Sequence, residues 1–216
     1  GALHSHAGLT AEARSLAIAV MNSMPGNSPI VVDSAGCGAA LKDYGHLLGT
    51  TEAQEFSQRV FDIHEWLEPH LNIIIEKHKP VFDKQSIIVQ DPCHLRHVQK
   101  SHLAVRSILS PVANVIELDD DGMCCGAGGA RMWMEESIGT KVNDERAQEA
   151  ISTGASRVAT ACPFCYIMLD DGVKAAGAEE DTVKVADIAI HLMDALENGE
   201  RRLAEQNAPL AASPGE

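Results

Sequence analysis

Short β-branched runs alternate along the chain with longer stretches in which apolar residues recur every three or four positions. Ile30-Val31-Val32-Asp33, Ser86-Ile87-Ile88-Val89-Gln90 and Val115-Ile116-Glu117-Leu118 read as strands, and Ser156-Arg157-Val158-Ala159-Thr160 as a weaker fourth. Phe56, Val60, Ile63, Leu67, Leu71 and Ile74 line one face at helical spacing and predict a single long helix. Ala13, Leu16, Ala17 and Val20 predict another. Met134, Ile138 and Val142 start a third, and Ile188, Leu192 and Leu196 mark a C-terminal one. This alternation predicts an α/β fold with mostly parallel sheets flanked by helices.

Composition narrows the class. Hydrophobic residues make up 45 % of 216, enough for a folded core without disulfide staples. A net charge of −14 argues against nucleic acid as a partner, because phosphate recognition needs a basic face. No apolar run is long enough to cross a bilayer and no signal peptide opens the chain. A cytoplasmic protein is expected, with docking at the inner face of a membrane compatible with that. Gly1-Ala2-Leu3-His4 carries no start or targeting logic, so a fragment of a longer protein is expected. Residues 197–216 read as a helix end running into a polar tail.

The chemistry lies in the cysteines at 37, 93, 124, 125, 162 and 165. Without a secretion signal, an even count does not imply disulfides, and adjacent Cys124 and Cys125 are poor partners for each other. Cys93 follows the strand at 86–90. Cys162 follows the strand at 156–160, with Pro163 as a helix-start signal, and Gly122, Gly126, Gly128 and Gly129 flank the Cys124-Cys125 pair. In a parallel α/β sheet such loops gather at the carboxyl edge of the strands, so Cys93, Cys124, Cys125, Cys162 and Cys165 can meet at one point. Helix N-termini there favour thiolates and an anionic group. An iron–sulfur cluster is the leading reading; a zinc ion held by four of the thiols is the alternative, for which the fifth is surplus.

Other residues read more plainly. Cys37 is as compatible with a small buried residue as with a ligand. The glycines at 126, 128 and 129 suit close backbone approach to a bulky group better than a phosphate cradle, since no Lys-Ser/Thr follows. His94 and His97 stand three apart beside Cys93 and suit supporting or surface roles. Arg96, His97 and Lys100 are candidates for a docking surface near the cysteines. Met123, Met132, Trp133 and Met134 suit packing and solvent exclusion.

Thirty residues separate Cys93 from Cys124, thirty-six separate Cys125 from Cys162, and two separate Cys162 from Cys165. A lone CxxC is unspecific; a Cys, a Cys-Cys-Gly and a CxxC in this order are far more so. Asp91-Pro92-Cys93-His94-Leu95, Met123-Cys124-Cys125-Gly126 and Cys162-Pro163-Phe164-Cys165 resemble the cysteine-rich CCG domain of iron–sulfur oxidoreductases, including heterodisulfide reductase and the glycolate oxidase iron–sulfur subunit. The run Gly126-Ala127-Gly128-Gly129-Ala130-Arg131-Met132-Trp133-Met134-Glu135 resembles heterodisulfide-reductase-related proteins too. Gly1 to Gly8, Ala35-Gly36-Cys37-Gly38 and Leu41-Lys42-Asp43-Tyr44-Gly45 resemble the first CCG motif of the glycolate oxidase protein.

That resemblance implies two similar lobes. An incomplete first lobe would span 1–79, N-terminally truncated, and a complete second would span 80–196. Thirty-six residues precede Cys37, matching the interval before Cys162, which would make those two cysteines equivalent, with Ala40 replacing the second Cys of the first lobe. The resemblance further implies a 4Fe–4S-type cluster on the five cysteines. The chain would be an electron-transfer subunit and not a complete enzyme. It would pass electrons from a flavoprotein dehydrogenase, acting on a 2-hydroxy acid such as glycolate, toward an acceptor such as quinone in a membrane complex. A heterodisulfide-reductase-like thiol–disulfide reductase and a zinc-stabilised interaction module are the alternatives. No dinucleotide fingerprint and no catalytic Ser-His-Asp set is visible.

Overall fold

The computed structural model describes residues 1–118, 122–135, 139–178 and 182–207. Its strands are β1 (Ile30–Val32), β2 (Val60–Asp62), β3 (Asp83–Gln90), β4 (Ala113–Ile116), β5 (Arg157–Thr160) and β6 (Lys184–Asp187). β1 and β2 form a small parallel sheet. The other four form a larger one in the order β4-β3-β5-β6, parallel throughout. The expected α/β architecture with parallel sheets flanked by helices is present.

Alternation along β3 explains the layering. Ile87 and Val89 point to one face, where they pack with Val105, Ile108 and Leu109 of the helix Leu103–Leu109 and with Ile188 and Leu192 of the helix Ile188–Asn207. Ile88 points to the other, against Ala147 and Ala150 of the helix Val142–Ser152 and Leu169 and Val173 of the helix Pro163–Ala175. Helices on both faces bury the strand centres, so they read as continuous apolar runs without alternation. A smaller core of Ala17, Tyr44, Ala53, Phe56 and Val60 supports the two-stranded sheet.

The long helix expected from Phe56 to Ile74 does not form. Phe56 belongs to the helix Thr51–Gln58, Val60 to β2, Ile63 and Leu67 to the helix Ile63–Leu67, and Leu71 and Ile74 to the helix Leu71–His78. Helical spacing survives only as a coincidence of successive elements, Phe56 and Val60 facing the smaller core and Leu67 and Ile74 the larger. Three local devices cut the run. Val60-Phe61-Asp62 pairs with β1. Asp62 starts the next helix with a capping box, accepting from the His64 N–H at 3.0 Å while Glu65 accepts from the Asp62 N–H. Pro69 starts a 3₁₀ turn at Glu68–His70. The helix expected to begin at Met134 also differs: Gly128–Trp133 is a 3₁₀ turn and the helix begins at Val142, while Ile138 lies outside the described residues.

The unforeseen strands β2 and β6 share a sequence. Val60-Phe61-Asp62-Ile63 and Val185-Ala186-Asp187-Ile188 each close a parallel strand on an aspartate, and that aspartate accepts an N–H two residues on, from His64 or from Ala189 at 2.8 Å. Both pairs therefore run from a strand into a helix whose N-cap lies two residues later and on to a parallel strand followed by another helix, although three helices lie between β1 and β2 and one between β5 and β6. This layout corrects the expected match of Cys37 with Cys162. Ser34 caps the helix Ala35–Lys42 two residues after β1, as Cys162 caps the helix Pro163–Ala175 two residues after β5. The equivalent of Cys162 is thus Ser34, and that of Cys37 is Cys165.

A candidate metal centre at the carboxyl edge

β3 delivers Cys93 through Asp91-Pro92. The residues that follow, His94–Gln99, wind as a π-helix, a form that recurs at functional sites. β5 delivers Cys162, the N-cap of its helix, with Pro163 in the first turn and Cys165 one turn on. Cys124 and Cys125 arrive from the segment after β4. All three segments leave the carboxyl ends of parallel strands, where the topology gathers them. Cys125, Cys162 and Cys165 are buried and Cys93 and Cys124 partly so; Cys37 is exposed and outside the group.

The five thiols form one chain of contacts. Cys93 bonds to Cys124, Cys124 to Cys125, Cys125 to Cys165, and Cys165 to Cys162. Shared protons divide them into donors and acceptors. Cys124 is held far below the ordinary thiol range by hydrogen bonds from Cys125 and Cys93, joined by the N–H groups of Gly126 and Gly128. Cys162 is pushed down to about 6, chiefly by Cys165 and then by the N–H groups of Cys165, Phe164 and Ala35, against the opposing effect of burial. The donors move the other way. Cys93 is raised by its bond to Cys124 and then by burial, Cys125 to about 11 by its bond to Cys124, and Cys165 by its bonds to Cys125 and Cys162 and by burial.

Such a site favours the thiolate form at Cys124 and Cys162, and a bound metal would displace the remaining thiol protons. Among the described residues no three His, Cys, Asp or Glu side chains meet as a ready-made site for one ion. Five cysteines strung along a chain and lined by peptide N–H groups suit a larger anionic cluster, whose sulfides would accept those N–H groups.

Backbone shape serves the same end. Gly126 has φ +92°, its N–H donates to Cys124 Sγ at 3.4 Å, and a Cβ there would lie 3.1 Å from the Asn143 nitrogen. Beneath Cys93, buried Asp91 accepts from Arg96 Nη1 at 3.1 Å and Arg106 Nη1 at 2.6 Å, and Arg106 continues to Glu117. Arg96 is thus turned inward to Asp91, leaving His97 and Lys100 exposed beside the site. His94 Nδ1 lies 3.5 Å from Cys93 Sγ. Met123 is partly buried, and Trp133 and Met134 are exposed.

The small sheet reaches this site. Besides the Ala35 N–H on Cys162, Gln99 Nε2 donates to the Ala35 carbonyl at 2.8 Å, and a Cβ on Gly38 would come within 2.9 Å of that amide. Asp91, Arg106, Gln99 and Ala35 were not legible as site residues. Asp91 stands in the Asp-Pro-Cys motif, but its partners lie in elements that only folding brings near.

Residues 87–170 match the cysteine-rich domain family called CCG. They are a CCG domain. The CCG domain holds all five clustered cysteines and excludes Cys37. The chain is 29 % identical to a probable glycolate oxidase iron–sulfur subunit of Bacillus subtilis over 206 residues, which cover 91 % of this chain and 45 % of that protein. It is 32 % identical to one of the subunits of a dihydromethanophenazine:CoB–CoM heterodisulfide reductase of Methanosarcina acetivorans over 181 residues, covering 79 % of this chain and 41 % of that one. An EtfAB:quinone oxidoreductase of Syntrophomonas wolfei is 40 % identical over 118 residues, covering 50 % of this chain and 16 % of that protein. The chain thus spans less than half the length of each of these relatives. No helix among the described residues is long and apolar enough to cross a membrane.

Proposed function

We propose that this chain is an iron–sulfur electron-transfer component of a flavin-linked 2-hydroxy-acid dehydrogenase of the glycolate type. Cys93, Cys124, Cys125, Cys162 and Cys165 hold the cluster, of 4Fe–4S type. The observation that carries this reading is the unbroken chain of five thiol contacts at one sheet edge. Similarity to the glycolate oxidase protein across 91 % of the chain supports the choice of partner. A cluster supplies one-electron transfer, whereas taking a hydride equivalent from carbon needs a two-electron acceptor such as flavin. A separate flavoprotein therefore oxidises the substrate, and quinone, in a complex at the inner face of the membrane, is the proposed acceptor. Exposed His97 and Lys100 offer two positive or proton-bearing groups for docking on an otherwise acidic chain. Residues 1–79 and 80–196 are two diverged copies of one unit, as the shared layout of β1–β2 and β5–β6 suggests.

Iron and acid-labile sulfide analysis with EPR on anaerobically purified protein tests the cofactor. Brown protein with about four irons and matching sulfide is expected. Colourless protein containing zinc and no sulfide would instead make this an interaction module. Assays with glycolate or lactate and a dye acceptor test the role: turnover is expected only after a flavoprotein partner is added. The heterodisulfide reductase relative supports a second reading, direct thiol–disulfide reduction, which disulfide turnover by the reduced chain alone would establish.

A further inference from the structure

Gln90 ends β3 at 1 % exposure, one residue before Asp91. Both of its amide hydrogens and its amide oxygen are engaged. Nε2 donates to two carbonyls, that of Asp91 at 2.9 Å and that of Met123 at 3.0 Å, and Oε1 accepts from Arg146 Nε. Arg146 is itself 2 % exposed and carries a further bond to Glu149 Oε2 at 2.6 Å. A guanidinium can only donate, so the amide oxygen must face Arg146 and both amide hydrogens must face the carbonyls. The Asp91 carbonyl belongs to the turn that delivers Cys93. The Met123 carbonyl belongs to the residue immediately before Cys124.

We propose that Gln90, oriented by Arg146, is a positioning residue that fixes the distance between the Cys93 turn and the Cys124-Cys125 loop. This rests on the reading of these cysteines as cluster ligands. One buried amide ties the turn that leads to Cys93 to the residue before Cys124, two segments thirty residues apart in sequence. Gln fits because the position needs two donors toward the loop and one acceptor toward a cation. A carboxylate of the same length would satisfy Arg146 and repel both carbonyls. A thioether would satisfy neither side. Buried polar groups of this kind are costly to leave unpaired, which makes the clamp sensitive to single changes.

Gln90→Met and Gln90→Glu separate the two halves of the clamp. Hydrogen exchange is measured on the full chain without metal, and EPR on the same chain after reconstitution. In both variants amides 122–126 are expected to exchange about tenfold faster, with β5 amides unchanged. The EPR line shape of the reconstituted chain should shift in both. Wild-type exchange at 122–126 in both variants, or a wild-type spectrum in both, would overturn the proposal. Wild-type behaviour of Gln90→Glu alone would also overturn it, by showing that only the Arg146 bond matters. If either variant loses β5 protection, Arg146→Lys replaces it, with the same two outcomes. A wild-type chain that binds no iron or sulfide defeats the proposed function, while the exchange experiment still reads the clamp.

Discussion

The β1–β2 unit and the β5–β6 unit each cap a helix two residues after a strand and return to a parallel strand closed by an aspartate, with three helices between β1 and β2 and one between β5 and β6, yet only one of them carries a thiol site. Ser34 and Cys162 occupy the same N-cap, and Cys37 and Cys165 the same third helical position. Around Cys162 and Cys165 stand three further thiols from two other loops. Cys37, by contrast, is exposed. A helix N-terminus at a strand end offers N–H groups and a favourable field. The ligands come from convergence of separate segments. The β1–β2 unit lends its N-terminus to the neighbouring site instead, through the Ala35 N–H on Cys162.

Changing the cysteines tests this contrast most severely. Cys124→Ser, Cys125→Ser and Cys162→Ser should each remove most of the bound iron, whereas Cys37→Ser should leave it in place. Iron analysis of the purified variants reads this, and full retention in all three would sink the ligand assignment.

The paired aspartates give the next largest effect. Asp62 is fully buried and holds buried His64 by a 2.7 Å bond to Nδ1 as well as capping the helix. Asp62→Ala should cost about 3 kcal/mol, since it removes a cap and strands a buried imidazole. Asp187 caps with one bond, and burial raises its pKa, which weakens the net value of its charge. Asp187→Ala should cost about 1 kcal/mol. Denaturant unfolding of both variants measures the gap, and equal losses would show that the two positions are not energetically distinct.

Acid should act on the β5–β6 unit through His191, in the helix that follows β6. Burial first, then the nearby positive Arg157 and Lys184, push its pKa down to about 4, with the Val158 backbone and then Asp194 opposing. The unfolded chain therefore takes up a proton that the folded chain refuses. Stability from this residue is complete above the unfolded value of about 6.5 and falls as pH drops toward 4, by up to about 3 kcal/mol. Melting temperature against pH should drop across that window, and His191→Leu should flatten the drop. An unchanged slope in the variant would assign the acid sensitivity elsewhere.

The smallest expected effect is none at all. Ser34→Cys recreates a CxxC with Cys37 on the β1–β2 unit. Iron per chain should not rise, because no second and third loop of this chain bring thiols to it. A doubled iron content would show that position alone suffices.

Much of the fold was open to reading. Runs such as Ile87-Ile88-Val89 and Arg157-Val158-Ala159-Thr160 declare themselves because a strand covered on both faces has no room for polar side chains. β2 and β6 were too short for periodicity to register, although their shared Val-x-Asp-Ile would have revealed them. The Phe56–Ile74 run misled because caps and strand pairing cut a sequence whose spacing suits a helix.

By itself the sequence determined that the β-strands alternate with helices and that five cysteines stand in three groups at loop–helix junctions. Those are local facts, set by side-chain shape and by spacing along the chain. Only the tertiary structure decided which thiols touch, that Cys37 stands apart, that Ser34 is the counterpart of Cys162, and that Gln90 and Arg146 lock the Cys93 turn to the Cys124 loop. A glutamine at a strand end looks like any other polar residue until parallel pairing and helix packing exclude water around it. From then on each of its hydrogen-bonding groups must find a partner in the protein, and the partners available are the carbonyls of segments distant in sequence.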